Sequence, residues 1–277
     1  MATEESKPLP KSSSTHPEFP EEQQNLFTEV LELLNRREVP YVVSGAFALH
    51  EHTGIWRDTK DLDLFLPAEH APAALQFLRD DGFEIEVSDP VWLAKAHRDG
   101  FFVDLITGMS NGAITVEMSW IDRSTPCKVL GVPCRVLGPE ELIASKMFVT
   151  RRERFDGADI CHVIFGTHGR LDWDFLMQVV SEHGDHWEIL FWHLVLFRYV
   201  YPAHTDMVPK PIWDDLLGRF QQAVSQPDKS APFRGSLIDE NMFHIDVVEW
   251  GLPNLLQDLR DARQNKIPDP AKMEPAA

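Results

Sequence analysis

The sequence predicts an α/β (α+β) fold, in which a small mixed sheet with flanking helices is followed by an all-helical C-terminal domain. Between residues 40 and 136, short apolar segments with the two-residue alternation of strands are interspersed with amphipathic helices. From Pro139 to about Arg263 the apolar residues follow the helical period instead. We therefore predict an α/β domain over 23–138 and a helical domain over 139–265.

The first half contains seven predicted elements and a hairpin. They are a helix over 21–39, a short buried strand over 40–45, a helix that begins at Gly45 and runs to 52, a strand over 60–67, a helix over 71–82, strands over 83–88 and 101–108, and two short strands within 124–138 around Gly131.

The second half is predicted to be helical throughout. Its first helix begins at Pro139, because proline suits the first helical position and the acidic residues that follow suit the first turn. Further helices are predicted over 171–184, 187–202, 211–224 and 247–264.

Both ends of the chain are predicted to be disordered tails, over 1–22 and 266–277. The first is rich in Ser, Pro and Glu and lacks the apolar segment of a signal peptide. No apolar run approaches the ~20 residues that a membrane helix needs. We expect a cytoplasmic protein without membrane contact.

The charge of the chain restricts its partners. Its 44 acidic and 26 basic residues give a formal net charge of −18 over 277 residues. Such a surface repels phosphate backbones, so non-specific binding to nucleic acid is not expected. The three cysteines, Cys127, Cys134 and Cys161, are too few for a disulfide framework, and we interpret them as free thiols, with zinc binding as the alternative.

The segment 61–66 places two aspartates on a predicted strand. Asp61 and Asp63 are two residues apart and leave the same face, whereas the alternating leucines leave the other face, toward the core. Asp104 lies between apolar residues on a separate strand and is the natural third carboxylate. Three converging carboxylates suit Mg²⁺, with phosphate oxygens and water as further ligands.

Ser44 and Gly45 lie at the end of a predicted strand, directly before a helix. Glycine permits close backbone approach, and the N–H groups at a helix N-terminus favour an anion. Together with the carboxylates, this turn indicates metal-assisted phosphoryl or nucleotidyl transfer.

The run "SGAFALHEHTGIWRDTKDLDLFL" (residues 44–66) resembles the signature of the nucleotidyltransferase superfamily that includes DNA polymerase β. The match is closest to minimal nucleotidyltransferases and AbiEii-type toxins, in which an R-x-T-x-D-x-D run is frequent, as in "RDTKDLD" here. The stretch 140–164 also resembles the helical region in which a lysine and a later aspartate pair recur there. One departure is the turn itself, which reads Ser44-Gly45-Ala46 instead of Gly-Gly or Gly-Ser.

The resemblance implies Asp61 and Asp63 as ligands of Mg²⁺ (or Mn²⁺), and Asp104 as a ligand or as the base for the acceptor. An NTP would be the substrate, with Ser44 and Gly45 along its triphosphate. Arg57 and Lys146 are further candidates for phosphate contact, each with a surface side chain as the alternative. Asp156 and Asp159 are expected either to be solvated or to pair with Arg152.

Three functions are compared. The first is a nucleotidyltransferase that moves an NMP onto an unidentified acceptor, such as a small molecule, a protein or tRNA. In a toxin role, an antitoxin protein would be a further partner. The second is a non-catalytic nucleotide-binding or antitoxin-like module of the same fold, which the presence of all three carboxylates disfavours. The third, a metal-dependent phosphohydrolase, would need a His/Asp cluster that this spacing does not provide.

Overall fold

The computed structural model describes residues 18–268, apart from residues 58, 183 and 265. Seven strands form one mixed sheet: β1 (Val42–Val43), β2 (Asp63–Phe65), β3 (Glu84–Asp89), β4 (Leu93–Arg98), β5 (Phe101–Ile106), β6 (Thr125–Val129) and β7 (Val132–Val136). Their order is β3-β4-β5-β2-β1-β7-β6. The pairs β1–β7 and β2–β5 are parallel and the others antiparallel. The predicted mixed α/β class is confirmed.

Helices cover the sheet and make up the second half of the described chain. They are α1 (Glu21–Arg36), α2 (Gly45–Thr53), α3 (Ala71–Asp80), α4 (Met118–Arg123), α5 (Pro139–Lys146), α6 (Gly157–Gly166), α7 (Trp173–Glu182), α8 (Trp187–Val200), α9 (Lys210–Ser225), α10 (Gly235–Ile238), α11 (His244–Val248) and α12 (Leu255–Ala262). Within the described residues, none of these helices is both long and apolar enough to cross a membrane.

The core lies behind the aspartate-bearing face of β2. Leu62, Leu64 and Leu66 are fully buried, as their alternation with the aspartates predicts. The buried apolar residues form one continuous cluster that also includes Ile160 and Leu194 of the helical half. The chain before and after Gly138 therefore contributes to one shared core.

Strand β4 was not predicted. Its inward residues are Ala94 and Ala96, which are fully buried but have low β propensity, so the alternation with Lys95 and His97 is a weak strand signal. Pairing with β3 on one side and β5 on the other holds the segment extended. Sheet partners, which are remote in sequence, decide this element.

Two predicted helices in the second half are interrupted. The helix that begins at Pro139 ends at Lys146, so Lys146 is the last residue of α5, and α6 starts at Gly157 after an irregular segment. The stretch 247–264 is also broken, between α11 and α12. Gly251, which has a φ of +71°, and Pro253 both disfavour a continuous helix there.

The predicted tails include residues that pack against the folded chain. Phe19 is 7% exposed and stacks on Phe47 with the ring centroids 6.0 Å apart, so the packed chain includes at least part of 18–22. Ile267 is 2% exposed, and its N–H donates to the carbonyl of Pro90 at 2.7 Å. Burial of these two apolar side chains against the core stabilises the fold. The composition of the tails alone does not predict this burial. The remaining tail residues lie outside the described part of the chain.

Candidate active site

The three predicted carboxylates meet on one face of the sheet. Asp63 on β2 lies in register with Asp104 on the parallel neighbour β5, and Asp61 precedes Asp63 by two residues. One carboxylate oxygen from each lies within 4.8 Å of the others. Among the described residues, this is the one group of three or more His, Cys, Asp or Glu side chains that is arranged to hold a single ion.

Neighbouring side chains hold two of these carboxylates in place. The hydroxyl of Thr59 donates to Asp61 Oδ1 at 2.8 Å. The ammonium of Lys95 donates to Asp104 Oδ1 at 2.5 Å and lies 4.0 Å from the centre of the Phe102 ring. Both contacts orient a carboxylate before any ligand arrives.

The electrostatics of the group match a cation site. Burial, and next the charges of Asp61 and Asp104, raise the pKa of Asp63 to about 7. Burial also raises the pKa of Asp104, against the effect of Lys95. Hard carboxylate oxygens that repel one another are the donor set that Mg²⁺ or Mn²⁺ prefers, so the residues fit such an ion.

Gly45 begins α2 and lies against Asp63. Its φ is +58°, in the region that favours glycine, and a Cβ at this position would collide with the Asp63 carboxylate. The N–H of Ser44 donates to the carbonyl of Asp63 at 2.9 Å, which joins the turn to the strand. Position 45, where the turn meets the carboxylates, therefore requires a residue without a side chain.

A second ion cluster, in which a lysine and two aspartates are buried, lies close enough to Asp63 to lower its pKa in part. Lys146 Nζ contacts Asp156 Oδ2 at 2.6 Å and Asp159 Oδ2 at 2.9 Å. Arg154 binds Asp156 through two hydrogen bonds of 2.9 Å, and Arg57 pairs with Asp159. The cluster has three cations and two carboxylates, which leaves one net positive charge.

This cluster contradicts the surface position considered for Lys146 and the two environments expected for Asp156 and Asp159. The side chain of Lys146 is only 10% exposed, so it is not a surface lysine. Asp156 and Asp159 are buried and pair with Lys146, and neither is solvated or paired with Arg152 as their spacing suggested. The paired cations lower the pKa of Asp156 despite its burial.

A cavity of about 680 Å³ joins these parts. All seven residues predicted for the site line it, namely Ser44, Gly45, Arg57, Asp61, Asp63, Asp104 and Lys146. Its other walls include the unpredicted Arg151 and Arg154 and the apolar side chains of Trp92, Met109 and Phe148. The cavity is large enough for a nucleotide or similar ligand.

Three residues of the site were missed. Thr59 belongs to the R-x-T run, so its signal was present, but its bond to Asp61 was not anticipated. Lys95 lies on the unpredicted strand β4, where it faces Asp104 across the register. Arg154 lies in the irregular segment between α5 and α6, for which no periodic pattern exists.

Comparisons with known proteins point to one chemistry. The model of a family described as "Nucleotidyl transferase of unknown function (DUF2204)" matches residues 23–193. No curated protein matches the sequence.

Several solved structures are similar to this chain. The lincosamide antibiotic adenylyltransferase LnuA, bound to lincomycin, is 19% identical over 52% of this chain and 96% of its own, with a TM-score of 0.37. ANT(2'')-Ia in complex with adenylyl-2''-tobramycin is 14% identical over 60% of this chain and 99% of its own, with a TM-score of 0.43. An antigenic nucleotidyltransferase-like protein from Paracoccidioides brasiliensis is 16% identical over 68% of this chain and 93% of its own, with a TM-score of 0.41. At these values the similarity carries no information on the substrate.

Proposed function

This chain belongs to the family of nucleotidyl transferases of unknown function (DUF2204), and we propose that it moves an NMP from an NTP to an acceptor with Mg²⁺ or Mn²⁺. The observation that supports this best is the convergence of Asp61, Asp63 and Asp104 beside the Gly45 turn. Three carboxylates on one face of the sheet favour a compensating cation, and a turn without a side chain admits a phosphate chain next to them.

Asp61, Asp63 and Asp104 would hold the divalent ion. When bound, the ion neutralises charge on the phosphates and on the departing pyrophosphate. Burial, and next the charges of Asp61 and Asp104, raise the pKa of Asp63 to about 7, so a bound cation would favour its ionised form.

The triphosphate would lie beside the Gly45 turn and the second ion cluster. Ser44 and Gly45 line the same cavity as Arg57 and Lys146, so a triphosphate in this cavity would contact both groups. Arg57 and Lys146 are paired with aspartates in this structure. The excess of one cation in the cluster favours an anionic ligand there.

Asp104 is the carboxylate suited to activating the acceptor. It accepts a hydrogen bond from Lys95 on one oxygen, and its second oxygen is available to a hydroxyl proton. Lys95 holds the carboxylate of Asp104 in a fixed orientation as it does so.

The first test is a transfer assay with the full chain. Each labelled NTP is incubated with Mg²⁺ and with a cell lysate, purified tRNA or a small-molecule mixture as acceptor. We expect label to move to an acceptor with the wild type and not with Asp63→Asn. Transfer by Asp63→Asn at the wild-type rate would contradict the assignment, and absence of transfer in all arms would favour the non-catalytic nucleotide-binding or antitoxin-like module.

The second test concerns Arg57, one of the cations that we assign to the triphosphate. Among the described residues, the Arg57 side chain forms an ion pair with one oxygen of Asp159, and the arginine is partly exposed, so the fold should tolerate Arg57→Ala. We expect the affinity for the NTP, measured by calorimetry with Mg²⁺, to fall about tenfold, which corresponds to ~1.4 kcal/mol. Arg36→Ala, which removes an exposed arginine on α1, is the matched control. Equal affinities in both variants would argue against Arg57.

The AbiEii-type resemblance extends the proposal to a toxin with an antitoxin partner in the cytoplasm. Growth of a bacterial host that expresses the wild type is compared with growth of one that expresses Asp63→Asn. A toxin role requires that only the wild type arrests growth. Normal growth with an active transferase would favour another role, such as modification of an antibiotic.

A further inference from the structure

Two cysteines face each other across the β6–β7 hairpin, away from the cavity. Cys127 and Cys134 are register partners, and their Sγ atoms lie 3.3 Å apart. Both are free thiols and half-buried, so a small reagent can reach them. The two residues lack C-x-x-C spacing, so the sequence predicts free thiols, with zinc binding as the alternative.

The hairpin geometry brings their backbones to a disulfide-compatible distance. Leu130 and Gly131 have φ values of +50° and +85°, as a two-residue type I′ turn requires. Pro133 has no N–H and lies opposite Lys128, so these two residues form a non-hydrogen-bonded pair. Hydrogen-bonded and non-hydrogen-bonded pairs alternate along an antiparallel ladder, so the adjacent pair Cys127–Cys134 is a hydrogen-bonded one. Hydrogen-bonded antiparallel pairs have Cα atoms about 5.5 Å apart, within the range of roughly 4.4–6.8 Å that disulfides occupy.

We propose that Cys127 and Cys134 form a redox site, which a peroxide converts to an intramolecular disulfide and a small thiol reduces again. The sulfur atoms need to approach from 3.3 Å to a bond length of about 2.05 Å. Side-chain rotation on fixed strands accomplishes this, and no backbone rearrangement is needed.

The two thiols have different roles. The hydrogen bond between the two thiols, in which either sulfur can be the donor, lowers the pKa of Cys134 and raises that of Cys127. The thiolate is the nucleophile, so Cys134 attacks the peroxide. Its sulfur takes one oxygen as a sulfenic acid, and the other oxygen leaves as water.

The second step closes the disulfide. The sulfur of Cys127 attacks the sulfenic sulfur of Cys134, the S–S bond forms, and the hydroxyl leaves with the thiol proton as water. In total the two thiols lose two electrons and two protons, and one peroxide becomes two waters. Because the pair is partly exposed, a small dithiol can reverse the reaction.

Cys161 provides an internal control. It is 2% exposed on α6, and burial raises its pKa to about 11. A buried, protonated thiol is a poor nucleophile, so it should survive treatment that oxidises the hairpin pair.

The test uses the full chain with hydrogen peroxide as the oxidant. The reduced protein is treated, denatured, alkylated and analysed by intact mass and peptide mapping. We expect two hydrogen atoms fewer, one alkylated cysteine and a cross-link between Cys127 and Cys134, all reversed by dithiothreitol. Three alkylated cysteines, a cross-link to Cys161 or a cross-link between chains would overturn the proposal.

Two variants and one labelling experiment separate the roles. Cys161→Ser should still form the disulfide, and Cys127→Ser should stop at a Cys134 sulfenic acid that dimedone traps. In the wild type, brief exposure to peroxide with dimedone present should label Cys134 and not Cys127. Label on Cys127 would contradict Cys134 as the attacking thiol.

Discussion

Gly45 and Asp63 depend on each other at the level of single atoms. The backbone of Gly45 is left-handed, and any side chain at this position would meet the Asp63 carboxylate. Gly54, at the other end of α2, is also left-handed, with a φ of +72°, but a Cβ there would meet nothing within 4 Å. A side chain at either position therefore has the same backbone cost, and only a side chain at Gly45 also collides with Asp63.

We predict that Gly45→Ala is more damaging than Gly54→Ala. The left-handed backbone alone costs about 1–2 kcal/mol for a non-glycine residue, and this cost applies to both. Gly45→Ala must in addition displace Asp63, so its unfolding free energy should be lower and its affinity for Mg²⁺ reduced. Denaturant unfolding and Mg²⁺ titration of both variants check this. Equal effects would show that the contact with Asp63 is unimportant.

Glu141 is a buried carboxyl group away from the metal site. It is fully buried on α5, and among the described residues no donor reaches either side-chain oxygen with hydrogen-bond geometry, although Arg123 Nε lies 3.4 Å from one of them. Burial, more than the nearby charge of Glu140, raises its pKa to about 7.

Glu141 should make the stability depend on pH. The folded state holds this proton to about pH 7, whereas the unfolded state releases it near its ordinary pKa. The contribution is therefore present below about pH 4.5 and is lost as pH rises through 7, a loss on the order of 3 kcal/mol at most. We expect Glu141→Gln to have a flatter profile of unfolding free energy against pH. Parallel profiles in wild type and variant would contradict the raised pKa.

At the scale of elements, the C-terminal helix supports the cavity from outside. Arg260 on α12 binds both oxygens of Asp89, at 2.9 and 2.8 Å, and donates to the carbonyl of Ser110 at 2.7 Å. Arg263 donates to the carbonyl of Thr107 at 2.8 Å. The loop between these carbonyls contributes Gly108, Met109 and Ser110 to the cavity wall.

We predict that Arg260→Ala loosens this loop. Hydrogen bonds to charged groups contribute about 1.5–3 kcal/mol each, so the amides of residues 109–112 should exchange about tenfold faster or more. Hydrogen exchange with mass spectrometry measures this. Arg219→Ala, in which an exposed pair with Asp215 is lost, is the control and should leave the loop unchanged. If the exchange rates in Arg260→Ala equal those of the wild type, contacts other than those of Arg260 hold the loop in place.

At the scale of the whole molecule, the metal site links ligand binding to global stability. Asp63 and Asp104 of the cluster belong to two neighbouring strands near the centre of the sheet, and Asp61 lies just before the first of them. An ion that binds only the folded state stabilises the entire protein by mass action.

Removal of Mg²⁺ should therefore lower the melting temperature. A concentration about 100-fold above Kd adds ~2.7 kcal/mol, which is roughly 5–10 °C for a protein of this size. We expect Asp63→Asn to lose this shift and Asp215→Asn, an exposed aspartate on α9, to keep it. The same Mg²⁺-dependent shift in all three proteins would exclude the carboxylates as ligands.

Much of the candidate site is encoded in local sequence. Strict alternation of strand side chains predicts the leucines on the core face and Asp61 and Asp63 on the other, although the strand in the structure begins only at Asp63. The Gly45 turn is equally local, since its position is set by the strand before it and the helix after it. For these reasons the sequence alone determined the mixed α/β class, the three carboxylates and the turn beside them.

Long-range pairing decided the rest. Lys95 meets Asp104 only because β4 joins the sheet beside β5, and the strand signal of β4 is too weak to predict that pairing. The ion cluster joins Arg57 to Asp159, a hundred residues later, across a fold that no periodicity describes. Periodic patterns report which side of an element is buried, whereas the partner of a charged side chain depends on how elements pack, which is a property of the tertiary structure.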